Sequence, residues 1–307
     1  MVEIIQALWP VFALIMLGYL ARRADFPGAA FWPLLERLVY FVLFPVLLVD
    51  RLAQADMRGV QLEWVLLAVL LLVAVGSVLC YLVRPRLKLS GPEFTSLYQG
   101  GVRFNTYLGL AATAALLGDQ AMAYAAVIIA LLIPTLNVTC VLVFSLHTGG
   151  RFQPGRLMKN LLVNPLIIAC LLGLLLNLSG IGLPPPVASV TELLSRTALP
   201  LGLLAVGAGL SFKVLLDSRL AMLTSAGIKL VLMPLVGWGI ALLLGFEPLL
   251  MQVFVLFAAL PTATSAYILA RQLGGDHAAM AAMITGQTLI SVITLPIALQ
   301  IALNFSG

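Results

Sequence analysis

The sequence predicts an all-α membrane protein of ten transmembrane helices, arranged as two inverted five-helix repeats whose fourth and ninth helices are broken and cross. Three observations predict it: an apolar composition, a regular succession of apolar runs between short polar connections, and matches between the two halves. Hydrophobic residues fill 62% of the 307 positions and charged residues 9%, with a mean hydropathy of +1.11. Soluble domains carry about 25% charged residues. The three cysteines, Cys80, Cys140 and Cys170, lie inside apolar runs without ligand spacing, so neither a disulfide framework nor a metal site is expected.

At about 20 residues per crossing, spans are expected at 3–21, 31–52, 62–83, 91–117, 120–146, 158–178, 187–210, 219–244, 248–270 and 277–303. Residues 2–20 read as the first span rather than a signal peptide, because Arg22 and Arg23 follow the apolar run and no basic residue precedes it. The longest polar connection begins at His147. It divides the chain into a first repeat over 1–146, a cytoplasmic linker over 147–157 and a second repeat over 158–307.

Alternate connections hold Arg22 and Arg23; Arg84, Arg86 and Lys88; Arg151, Arg156 and Lys159; Lys213 and Arg219; and Arg271, whereas the other side has Arg51 and Arg58. The positive-inside rule then puts both termini on the extracytoplasmic side of the membrane. This distribution also accounts for the net charge of +5, so no nucleic-acid partner is implied.

A shift of 155 residues superposes Pro10 on Pro165, Gly18 on Gly173 and Pro45 on Pro200. A shift of 157 brings Gly118-Asp119 onto Gly275-Asp276, Phe104 onto Pro261 and Asn105 onto Thr262. A repeat of five spans is odd, so the second copy is upside down and the central segments of spans 4 and 9 meet near the midplane.

Those segments are polar. Gln99 to Gly109 carries Gly100, Gly101, Arg103, Asn105 and Thr106 inside an apolar run, and Ala258 to Ala266 carries Pro261, Thr262, Thr264 and Ser265. The paired glycines and the proline mark helix breaks; backbone freed at this depth needs a protein surface or a water-filled cavity. A binding site and a kinked packing helix both fit the first stretch. Broken helices leave half-helix N-termini able to hold an anion.

Four basic residues remain within spans. Arg37 adjoins Glu36, and Arg196 lies one turn past Glu192, so ion pairing explains both. Lys229 stands about ten residues into span 8, ~15 Å deep at ~1.5 Å per residue, and Arg103 is comparably deep. Lys229 either snorkels or bonds carbonyls, or it supplies positive charge to a cavity. Central cations without central acids favour an anionic substrate. Asp119 and Asp276 fall at span ends, where capping or turn formation explains them. Asn137, Gln287 and Thr294 are cavity-lining or interhelical hydrogen-bonding residues. Hydrolase, zinc-protease and phosphate-loop motifs do not occur, so no enzymatic activity and no cofactor is expected.

The run Arg103-Phe-Asn-Thr-Tyr-Leu-Gly109, Asn164-Pro165 opening span 6, Lys229 ahead of Pro234, and Pro261 through Gly275-Asp276 to Thr294-Leu-Pro296 resemble the auxin efflux carrier family as found in bacteria. The resemblance covers essentially the whole chain. It implies a secondary transporter of organic anions in the bacterial inner membrane, related in fold to bile-acid/sodium symporters and sodium/proton antiporters. Spans 1, 2, 6 and 7 would form a scaffold and homodimer contact, and spans 3, 4, 5, 8, 9 and 10 a transport domain moving as an elevator. Asn105 would contact the substrate carboxylate and Pro261 would shape the span 9 break. Phe104 stands where plant members have proline, and span 3 lacks their acidic and basic pair.

The expected substrate is thus a small carboxylate, with Asn105, Arg103, Thr106, Thr262, Thr264, Ser265 and Lys229 at or near its site and a proton or sodium ion as candidate coupling ion. A sodium- or proton-coupled transporter of another solute in the same fold, and a non-transporting membrane sensor or channel, are the alternatives.

Overall fold

The computed structural model describes residues 2–55, 62–149, 153–212, 215 and 218–304. Of the basic residues counted for orientation, Arg58, Arg151 and Lys213 lie outside these. The described residues form helices only: α1 Val2–Arg23, α2 Phe31–Leu38, a π-helical stretch Val39–Leu43, α3 Phe44–Ala53, α4 Leu62–Leu87, α5 Gly91–Val102, α6 Thr106–Leu116, α7 Gly118–His147, α8 Pro154–Leu162, α9 Pro165–Leu178, α10 Pro185–Ala208, α11 Arg219–Ala226, a second π-helical stretch Gly227–Leu232, α12 Met233–Leu243, α13 Pro248–Ala259, α14 Ser265–Leu273 and α15 His277–Asn304.

Seven stretches among the described residues are long and apolar enough to cross a membrane: α1, α2 through α3, α4, α7, α10, α11 through α12, and α15. Their outward faces carry side chains that water would penalise, including Leu66, Leu70 and Leu82 on α4, and the shorter α9 does the same with Ile168, Leu171 and Leu175. The protein is therefore a multi-pass membrane protein.

The segment expected as span 6 is divided. Asn164 is extended and its side chain caps Leu166 and Ile167 ahead of Pro165, so α9 has only 14 residues and α8 precedes it as a separate helix.

Lipid supplies no hydrophobic drive between helices, so close approach must. Gly18 and Gly207 provide it where α1 packs on α10: a Cβ on Gly18 would lie 2.1 Å from the Leu204 carbonyl oxygen, and one on Gly207 1.8 Å from that of Ile15. The packing places α1, α3, α9 and α10 against one another, while α5, α11, α13 and α15 pack together and α4 and α7 both lie on α5.

Expected spans 4 and 9 are interrupted near their middles. α5 starts at a capping box, Ser90 with Glu93, and ends at Val102; Arg103 and Asn105 are extended before α6 begins. Gly100 and Gly101 lie inside α5, so the break comes two residues later than the glycines suggest. Their lack of side chains serves packing instead, since a Cβ would meet Met283 Sδ at 2.7 Å and Cys80 Sγ at 2.6 Å. α13 gives way at Leu260, Pro261 lies in the break, and α14 resumes at Ser265.

Candidate functional site

The two breaks touch. The Asn105 backbone N–H donates to the Pro261 carbonyl at 2.8 Å, and the Thr262 hydroxyl donates to the Gln99 carbonyl at 3.2 Å. Gln287 of α15 ties them together: its Oε1 accepts from Thr262 N–H at 2.8 Å, and its Nε2 donates to the Gly100 carbonyl at 2.8 Å and to Ser225 Oγ at 3.1 Å. Gln287 and Thr262 are both 0% exposed. Each orphaned backbone group at the crossing thus named finds a partner, as burial demands.

Asn105 is the N-cap of α6. Its Oδ1 accepts from Tyr107 and Leu108 N–H, both at 3.1 Å, while its Nδ2 is buried without a hydrogen-bond partner. That donor belongs to a residue lining a cavity of about 410 Å³ bounded also by Thr106, Thr264 and Ser265, with Glu36, Arg37 and Tyr40 on the wall formed by α2 and the first π-helical stretch. A second cavity of about 130 Å³ shares Tyr40, Thr106, Leu166, Ala263 and Ser265 with the first, and adds Arg103, Asn137 and Asn164. Arg103 Nη1 is buried and unpartnered. The first residues of α6 and α14, Thr106 and Ser265, line both cavities.

Five of the seven expected binding residues are gathered here: Asn105, Arg103, Thr106, Thr264 and Ser265. Thr262 lines neither cavity and serves as a strut between the breaks. Lys229 lines neither; it sits in the second π-helical stretch, 2% exposed, with Nζ donating to the Ala258 carbonyl at 2.8 Å and to that of Phe257 at 3.4 Å. Of its expected roles, the carbonyl-bonded one is observed.

Several residues went unassigned from sequence. Glu36 and Arg37, read as an internal pair, both reach the larger cavity; the strong amphipathicity of α2 was the available signal. Tyr40 had none beyond its polarity, and Asn164 stood out only within the Asn164-Pro165 pair that opens span 6. Arg196 does pair with Glu192, Asp119 pairs with Arg51, and Asp276 caps Ala279 N–H at 2.9 Å.

The arrangement suits an anion: two half-helix N-termini, and an amide donor and a guanidinium nitrogen without partners, all on residues lining the two cavities. The described residues contain no grouping of three metal-ligating side chains.

A family model described as "Membrane transport protein" matches residues 3–299. The chain is 29% identical over 291 residues to an "Uncharacterized transporter" of Methanothermobacter thermautotrophicus, covering 94% of each chain. It is 28% identical over 314 residues to a "Putative malonate transporter" of Rhizobium meliloti, covering 96% of this chain and 94% of that one. With its broken helices meeting over a cavity and a family match along nearly its whole length, the chain belongs to the auxin efflux carrier family of membrane transport proteins.

Proposed function

We propose that the protein is a secondary transporter that carries a small carboxylate across the inner membrane by an elevator form of alternating access. The observation that carries this is the Asn105 side chain: its oxygen caps α6, and its Nδ2, buried and unpartnered, is left to a residue that lines the cavity. A carboxylate oxygen there takes the amide N–H together with the N-terminal dipoles of α6 and α14. The cavity of about 410 Å³ falls in the range of small-molecule sites, ~300–1,000 Å³. Its Arg103 annex gives a second anionic group a counter-charge, and the relative named for malonate supports a dicarboxylate.

The ten-span, inverted-repeat reading belongs to this proposal. The pairs α5–α6 and α13–α14 supply spans 4 and 9, and the shift of 157 that carries Asn105 onto Thr262 carries one break onto the other. α1, α2–α3, α9 and α10 form the scaffold and homodimer face, and the remaining spans move against it with the site. Both termini are extracytoplasmic.

The test is transport by protein reconstituted in liposomes, across mono- and dicarboxylates, with Asn105→Ala beside wild type. Saturable uptake that the substitution abolishes is the expected result. Unaltered uptake in the variant, or a folded wild type silent to every acid, overturns the reading.

A further inference from the structure

The side chain of Lys229 is the least expected feature of the membrane interior. It is 2% exposed, and among the described residues no carboxylate pairs with it. A buried cation without a counter-ion is retained where it has a task. Its partners are the carbonyls of Phe257 and Ala258, two of the last four of α13, which the helix itself leaves without donors. That end carries the negative pole of a half-helix dipole, one residue before the break at Leu260. Half-helix C-termini with freed carbonyls are where broken-helix transporters ligate a coupling cation. The Lys229 nitrogen stands at such carbonyls already, on a π-helical stretch, an irregularity frequent at functional sites.

We propose that Lys229 is a tethered cation, occupying the carbonyl end of α13 in place of a free monovalent ion, so that the crossover is held ready for its anion without sodium. The inference rests on the reading of the crossover as an anion carrier's site, and it adds what completes that site. It replaces a sodium coupling site at this end of the crossover with a covalently attached ammonium.

Removing the side chain beyond Cβ makes a hole the size of n-propylammonium. The experiment compares thermal unfolding of the full-length, detergent-purified wild type and Lys229→Ala in choline, sodium, n-propylammonium and 1-propanol, followed by carboxylate binding in the same media. Wild type is expected to melt and bind identically in choline and sodium. Lys229→Ala is expected to melt lower and bind at least about tenfold more weakly in choline, a change of about 1.4 kcal/mol, with n-propylammonium recovering most of both losses. 1-Propanol fills the same hole without charge and is expected to recover neither. Equal recovery by 1-propanol, unchanged melting and binding of the variant in choline, or sodium-dependent stability or binding of wild type each overturns the proposal. If the variant yields no folded protein even with n-propylammonium, the comparison of wild type in sodium and choline decides alone. If no carboxylate binds wild type, the proposed function fails, while the melting comparison still reads Lys229.

Discussion

Asn105→Asp separates the two tasks of the Asn105 side chain. The cap needs only an acceptor: Oδ1 receives Tyr107 and Leu108 N–H, and Asp is as good an N-cap as Asn. Fold and melting temperature are therefore expected to hold within about 2 °C, the shift given by roughly 0.5 kcal/mol in a chain of this size. Binding needs the Nδ2 donor, which Asp lacks. A hydrogen bond to an ionised partner contributes about 1.5–3 kcal/mol, so its loss weakens a carboxylate roughly 10- to 150-fold at about 1.4 kcal/mol per tenfold. The new negative charge beside the bound anion pushes the loss toward or past the upper figure. Asn105→Ala is the companion, losing the same donor and about 0.5–2 kcal/mol of helix cap as well. The assay is equilibrium binding of a labelled carboxylate to protein in detergent, with melting measured on the same samples. A folded Asn105→Asp that binds within about threefold of wild type, some 0.7 kcal/mol, refutes the placement of the anion at Asn105.

Gln287→Met leaves Thr262 N–H and the Gly100 carbonyl buried without their partner; at ~1–3 kcal/mol per orphaned group the loss is about 2–6 kcal/mol, read as a lowered melting temperature. Gly207→Ala sets a methyl 1.8 Å from the Ile15 carbonyl oxygen and is expected to cost folded yield, whereas Gly239→Ala meets nothing within 4 Å and leaves it unchanged. The Arg51–Asp119 pair is exposed on its acidic side, at 86% for Asp119, so a double-mutant cycle is expected to give a coupling of only about 0.2–1 kcal/mol, shrinking as salt rises.

The breaks were legible in sequence because polar residues and proline inside an apolar run have few other uses, and because a register shift of 157 aligned Asn105 with Thr262. Their positions were less so. Gly100 and Gly101 are weak helix formers, yet α5 carries both because Met283, Ser225 and Cys80 press so close that larger residues would clash; tertiary packing overrides propensity. Arg103, Asn105, Thr106, Thr264 and Ser265 were found from local polarity. The opposite wall was not: Glu36 and Arg37 are adjacent opposite charges near a span end, and the amphipathicity of α2 says that one face is polar without saying whether it meets lipid headgroups or a cavity. Gln287 lies more than 180 residues from Gly100, and its role as a tie between breaks exists only once α15 is packed against both.

The anionic ligand of the proposed function draws support from how the four half-helix ends at the crossing are treated. α5 and α13 end there, presenting carbonyls; α6 and α14 begin there, presenting N–H groups. Four carbonyls at those ends take side-chain donors: Gly100 from Gln287, Gln99 from the Thr262 hydroxyl, and Phe257 and Ala258 from Lys229. The N–H ends meet acceptors: Asn105 takes Tyr107, Leu108 and Gly109 N–H of α6, and the Ala263 and Thr264 carbonyls take Ala266 and Tyr267 N–H of α14. The Asn105 side chain keeps an unpartnered donor of its own, and Thr264 makes no side-chain hydrogen bond to cap α14. Each such terminus is equivalent to roughly +0.5 of an elementary charge, and both begin on the cavity lining. Glu36 opposes them, but Arg37 on the same wall and Arg103 in the annex more than offset its charge. Ammonium, amide and hydroxyl groups thus sit at the carbonyl ends, while the unpartnered Asn105 Nδ2 and Arg103 Nη1 belong to residues lining the cavities, a distribution of charge that supports the anion of the proposed function.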